Sequence, residues 1–150
     1  MARNDWVTFE GFGLDLANGV HNLGSDTFSV RLITNAATIP AADTATPRWA
    51  DFSANECTQG GGYTTGGITL TGVSTALVGA VTTFDSTMEP TWTATAGSPT
   101  DIYYCVLVNN TATNDECVGF LDMGGPVSMV AGDVSVAFNA SGIATVTVSA

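Results

Sequence analysis

From Ile68 to Val148 the sequence is an almost unbroken succession of short β-type segments separated by turn signals. The segments are Ile68–Ser74, Ala76–Phe84, Thr91–Thr95, Ile102–Val108, Val118–Met123, Val134–Phe138 and Ile143–Val148. Among the breaks are Gly97-Ser98-Pro99, Asn109–Glu116, Gly124-Gly125-Pro126 and Asn139-Ala140-Ser141-Gly142, residue types that reverse a chain. This spacing leaves no room for long helices. It predicts an all-β fold, either a β-sandwich or a jelly-roll-like barrel of short antiparallel strands. In Ile102–Val108 both faces are apolar, which predicts a central strand between two layers. Val134, Val136 and Phe138 share one face ahead of a four-residue polar turn, which predicts a terminal hairpin of Asp133–Phe138 with Gly142–Val148.

The first half is less regular. Phe9, Phe12, Gly13 and Leu16 have rough helical spacing, but Gly11, Gly13 and Gly19 limit it to a short or irregular turn. Residues 1–24 therefore read as an irregular N-terminal segment, with an extended arm as one form of it. Thr27–Ile33 alternates with Phe28, Val30 and Leu32 on one face, the pattern of a half-buried strand. Asn35–Pro47 reads as an exposed loop, and Arg48–Phe52 as a single helical turn that docks Trp49 and Phe52 on the sheet. No repeat or linker divides the 150 residues, so one domain is expected over 1–150.

The loop Asn55–Gly67 carries Gly60, Gly61, Gly62, Tyr63, Gly66 and Gly67 and runs directly into Ile68-Thr69-Leu70. A glycine run ahead of a helix would suit a phosphate. Here a strand pattern follows, and the chain contains no lysine. The loop is therefore a backbone device: glycines permit tight reversals, and Tyr63 pins the loop to a core edge.

Three arginines stand against 14 acidic residues, a net charge of −11. Such a surface repels nucleic-acid backbones and anionic membranes, so neither is expected as a partner. Charged residues are only 11% of the chain, and Thr, Ser, Asn and Gly take their place on the polar faces. The N-terminal residues lack the basic start and apolar core of a secretory signal, and no apolar run approaches a membrane span, which predicts synthesis in a cytoplasm.

The chemistry-bearing residues do not converge on a reaction. His21 is the only histidine and sits in a polar turn, where it reads as a structural surface residue. Asp115-Glu116 reads as a solvated hairpin tip, since the alternating ligands of a calcium loop are missing. Cys57, Cys105 and Cys117 fit no zinc spacing. A symmetric hairpin of Tyr103–Val108 with Cys117–Met123 sets Cys105 opposite about residue 120, which argues against a Cys105–Cys117 disulfide. Free buried thiols are the default, with an intermolecular disulfide through Cys57 or Cys117 as the sharper alternative. No catalytic residue, metal or cofactor is expected.

The order of features resembles that of a group of small structural proteins of tailed-bacteriophage particles. The residues that carry the resemblance are Asp26-Thr27-Phe28-Ser29-Val30-Arg31-Leu32, then Glu56 with Gly60–Leu70, then Phe84-Asp85 and Trp92. Ile102-Tyr103-Tyr104 and Gly142-Ile143-Ala144-Thr145-Val146 complete it, so that it spans nearly the whole chain. The resemblance implies a non-enzymatic virion protein, and first of all a capsid decoration (cement) protein on the outer shell. Its partners would then be the major capsid protein and further copies of itself, expected as a homotrimer. A tail, neck or fibre component is the alternative within the particle. A carbohydrate- or host-surface-binding module is the alternative from another class. For the contact surface the sequence offers Arg3 and Trp6 of the N-terminal segment and Arg48 and Trp49 beside the Pro-containing loop.

Overall fold

The structure, a computed structural model, describes residues 6–35 and 40–149. Along the chain run β1 (Trp6–Thr8), helix α1 (Phe12–Ala17), β2 (Phe28–Thr34) and helix α2 (Trp49–Phe52), which a 3-10 turn at Ser53–Asn55 continues. Then follow β3 (Ile68–Thr69), β4 (Val73–Val78), β5 (Val81–Ser86), β6 (Thr91–Trp92), β7 (Ile102–Asn109), β8 (Cys117–Val127), β9 (Val134–Ser135) and β10 (Ala144–Thr147). The fold is all-β and sandwich-like, without a closed barrel.

A five-stranded antiparallel sheet of order β1-β8-β7-β2-β3 organises the molecule. β7 is its middle strand and is buried on both faces over Cys105–Val108, as its two-sided apolar pattern predicts. Phe28, Val30, Leu32, Cys105, Leu107 and Leu121 point to one face. There they meet Phe84, Trp92, Val134 and Ala144 from two smaller sheets, β10-β5-β4 and β6-β9. The Phe28 and Phe84 rings lie 5.0 Å apart across this layer. Such a pair adds about 1 kcal/mol to the burial of each ring.

Ile33, Val106, Val108 and Phe120 point to the opposite face and form a second core with Phe9, Trp49 and Phe52. Phe9 sits between Phe52, at 5.9 Å, and Phe120, at 5.2 Å. The helical turn read at Arg48–Phe52 is present and docks both of its rings. Its first turn is closed by the Asp51 carboxylate, which accepts from the Arg48 backbone N–H at 3.0 Å. β2 is therefore covered on both sides, not half-buried: Ser29 and Ile33 are as enclosed as Phe28 and Val30.

Several expectations are corrected. The terminal hairpin does not form, because β9 pairs with β6 and β10 pairs with β5. The polar turn at Asn139–Gly142 reverses the chain but delivers its two flanks to different sheets. The run Ala76–Phe84 is not one strand: Gly79-Ala80 is a two-residue turn joining β4 to β5, with Val78 opposite Val81. Gly79 has φ +61 while Ala80 does not have positive φ, as a type II′ hairpin requires. Nor is residue range 6–24 an extended arm. Val7 pairs with Phe120 in β8, and Phe12 of α1 enters the first core. The Pro-containing loop is tied down where it is described, with Pro40 and Pro47 buried. Its Ala42 carbonyl accepts from the Glu10 N–H, and its Pro47 carbonyl from the Cys117 N–H.

Candidate interaction surface

The glycine loop is built around Tyr63, whose side chain is 1% exposed. Its hydroxyl donates to Glu56 Oε1 at 2.8 Å and accepts from the Leu32 N–H at 3.2 Å. Glu56 Oε1 also accepts from the Gly66 N–H at 2.6 Å, so one carboxylate oxygen holds both the ring and the loop's far end. Burial raises the Tyr63 hydroxyl above its usual range and keeps it a donor. The glycines let backbone approach backbone. Gly67 has φ +69, and a Cβ there would fall onto the Val30 carbonyl oxygen. The next residue, Ile68, then pairs with Val30, so this contact sets the register of β3 on β2. The loop is an internal clamp, and Tyr63 pins it as the sequence indicates.

All three thiols are interior: Cys57 is 2% exposed, and Cys105 and Cys117 are fully buried. Burial pushes the Cys57 thiol up to about 12 and raises the other two as well, so none carries thiolate at neutral pH. Cys105 lies opposite Leu121 and Cys117 opposite Val108, which keeps these two sulfurs apart. The intermolecular disulfide offered for Cys57 or Cys117 is corrected on the same ground, since neither sulfur reaches the surface. A thiol-reactive chromophore should label none of the three cysteines in the folded protein and all of them in denaturant.

The contact residues read from the sequence are not gathered into one surface. Arg3 lies outside the described residues. Trp6 is half-buried in β1 and tilts against Phe138 at 5.4 Å, on the face of the first core. Trp49 belongs to the opposite face, 8% exposed, with the Arg31 guanidinium 4.6 Å above its ring. Trp49 is therefore an internal anchor and cannot serve as a docking ring. Arg48 alone of the described members is exposed, at the start of α2.

His21 is not on the surface either. Its ring is buried against Phe12, with Nδ1 3.0 Å from the Asn109 amide nitrogen. Asn109 Oδ1 accepts from the Thr111 and Ala112 N–H groups, so its Nδ2 must be the donor, both to His21 Nδ1 and to Asp26 Oδ2 at 2.7 Å. His21 is thereby held neutral, with its proton on Nε2. That nitrogen lies 3.9 Å from Asp15 Oδ2, beyond hydrogen-bond reach, and both atoms are buried without a partner. Burial lowers the His21 pKa against the opposing pull of Asp15, Glu116 and Asp26, and burial raises that of Asp15. Glu116 is also buried, which corrects the reading of a solvated hairpin tip. Burial would raise its pKa, but the bonds from the Asn114 side chain and backbone outweigh this and lower it.

The histidine has a consequence for stability. With the folded pKa below the ordinary 6.5, its contribution is present above that pH and is lost as pH falls through the folded value. The melting temperature should therefore drop between about pH 7.5 and pH 5.5, and a His21→Gln variant should flatten that slope. Asp15 acts in the other direction and in a lower window. Its raised pKa stabilises the fold below about pH 4, and that contribution fades as pH rises through its folded value.

Beside the His21 cluster lies a cleft of about 450 Å³ lined by Asn22, Asp26, Asn114 and Glu116 among others. A cleft of about 610 Å³ runs between Trp6 and Asn139–Thr145. Among the described residues no group of three His, Cys, Asp or Glu side chains is placed to hold a metal. Asp26 and Glu116, the carboxylates lining the smaller cleft, are engaged by backbone and amide donors.

Leu14 and Val130 are exposed, but most of the exposed large apolar side chains gather at one end of the β10-β5-β4 sheet. Leu77 is 70% exposed, Val78 76%, Val148 71% and Val146 41%. Phe84 opposes Thr75 and Ala144, and one step further out Thr82 opposes Leu77 and Val146. The face that carries Phe84 and Ala144 into the core thus continues past the edge of the domain, uncovered. No protein-family model, no characterised protein and no solved structure matches the chain.

Proposed function

We propose that the protein is a non-enzymatic structural component of a tailed-phage particle, acting as a capsid decoration protein on the outer shell. The observation that carries this reading is the contrast between its polar and apolar groups. Tyr63, Glu56, Asn109 and Asp26 hold loops in place, whereas the apolar outer end of the β10-β5-β4 sheet is uncovered. The motif order from Asp26 to Val146 supports the same reading, and its residues are those that build the fold. Phe28, Tyr63, Phe84, Trp92 and Ile102 are all in the first core.

Mechanically, such a protein braces its neighbours by adding buried interface that exists only in the assembled shell, and it stabilises the shell by mass action. Its partners are the major capsid protein and further copies of itself, and its place is the virion surface. Quantitative mass spectrometry of purified particles tests this cheaply. A copy number in the hundreds, commensurate with the major capsid protein, is expected, whereas a handful of copies would transfer the protein to the tail or neck.

The carbohydrate-binding alternative is less well supported. A stacking platform needs an exposed ring, yet Trp49, Trp92 and Tyr63 are buried. Trp6, Tyr103, Tyr104 and Phe138 are partly open, and no ring among the described residues is fully exposed.

A further inference from the structure

We infer that the β10-β5-β4 sheet is a self-association surface, on which a second copy of the chain lays its own β4 antiparallel to this one, with Thr75 opposite Thr75. β4 is an edge strand, paired with β5 on one side only, and all of its residues except Val73 are exposed. In a two-residue hairpin the closing pair, Val78 and Val81, exchanges backbone hydrogen bonds, as do Ala76 with Thr83 and Ser74 with Asp85. The N–H and C=O groups of Val73, Thr75 and Leu77 then face outward. They form a row of donors and acceptors at the pitch another strand needs.

Edge strands are ordinarily protected by lysine, proline, a bulge or an inward charge. β4 has none of these.

Two observations select a second copy as the occupant. The edge reads Val73-Ser74-Thr75-Ala76-Leu77, large apolar, small, threonine, small, large apolar, and so it is self-complementary about Thr75. Antiparallel pairing about that residue sets Val73 against Leu77 and Ser74 against Ala76 in both directions, as a two-fold contact demands. Charge selects the same place. A copy bearing −11 is repelled by most of this surface, yet no charged residue occurs from Thr71 to Phe84 or from Asn139 to Ser149. The pairing makes one six-stranded sheet and sets each uncovered Leu77 side chain against Val73 of the other copy. It predicts a dimer as the unit of association, in place of the homotrimer implied by the resemblance.

The test uses the isolated full chain, so its outcome is independent of whether the protein binds a shell. Sedimentation equilibrium of the wild type should show a concentration-dependent dimer. Thr75→Glu and Thr75→Arg each set like charges directly opposite and should sediment as monomers, with melting temperatures near that of the dissociated wild type. An equimolar mixture of the two should restore the dimer, because opposite charges then face each other. Hydrogen exchange of the wild type supplies a readout that needs no variant: the amides of Val73, Thr75 and Leu77 should gain protection as concentration rises. A wild type that stays monomeric, a trimer, a Thr75→Glu variant that still dimerises, or a mixture that fails to associate would each overturn the inference.

Discussion

Truncating Tyr63 to alanine is expected to lower the unfolding free energy by about 4 kcal/mol, the largest effect of any single substitution considered. Two losses add. A fully buried aromatic ring leaves a cavity beside Trp92, whose ring centre is 6.3 Å away. The Leu32 N–H and the Glu56 carboxylate each lose the partner that the hydroxyl supplies. Tyr63→Phe separates the two, because it keeps the ring and removes only the hydroxyl. It should cost about 1–3 kcal/mol, the penalty for leaving buried polar groups unmade. Urea unfolding of the three proteins gives the ordering directly. A Tyr63→Phe variant as stable as the wild type would show that the Glu56–Tyr63–Leu32 link holds nothing together.

A comparable loss is expected for Gly67→Ala, about 3 kcal/mol, against about 1 kcal/mol for Gly66→Ala. Both glycines have positive φ, +94 at Gly66 and +69 at Gly67, so both substitutions pay the left-handed penalty. They differ in surroundings. A Cβ at Gly66 meets nothing within 4 Å, whereas one at Gly67 collides with the backbone of Val30. That collision pushes β3 from the strand it pairs with, and neither backbone has a flexible end that can give way. The difference between adjacent glycines isolates close approach from conformational strain. Equal costs would mean that the clamp on β2 does not set the register of Ile68.

The parts of this fold legible in the sequence are those set by local pattern. Phe28, Val30 and Leu32 alternate, and their strand is where the alternation puts it. The β7–β8 hairpin follows from two apolar runs flanking a polar tip. Its observed register, Cys105 opposite Leu121, differs by one residue from the symmetric expectation. Trp49 and Phe52 are three residues apart and dock as one helical turn.

The misreadings share a different cause, in that their partners are distant along the chain. Val134 and Ala144 carry strand patterns, but their partners Trp92 and Phe84 are set by the way the small sheets cap the large one. His21 lies 88 residues from the Asn109 that buries and orients it, so nothing near it in sequence distinguishes it from a turn residue. The break within Ala76–Phe84 did have a signal: Gly79 followed by a non-glycine is the II′ pattern, hidden because β-type residues flank it on both sides. The contact residues that the sequence offers, Arg3, Trp6, Arg48 and Trp49, are aromatic and cationic. The exposed surface with most to bury is instead aliphatic and uncharged, at Leu77, Val78, Val146 and Val148.

We propose that this chain is a shell protein whose fold presents a surface to its neighbours. Cryo-electron microscopy of the purified particle decides the matter. Density for this domain is expected to repeat over the capsid lattice, with the outer end of the β4–β5 hairpin covered in each copy. Density confined to the tail or neck, or a shell that carries none, would overturn the proposal.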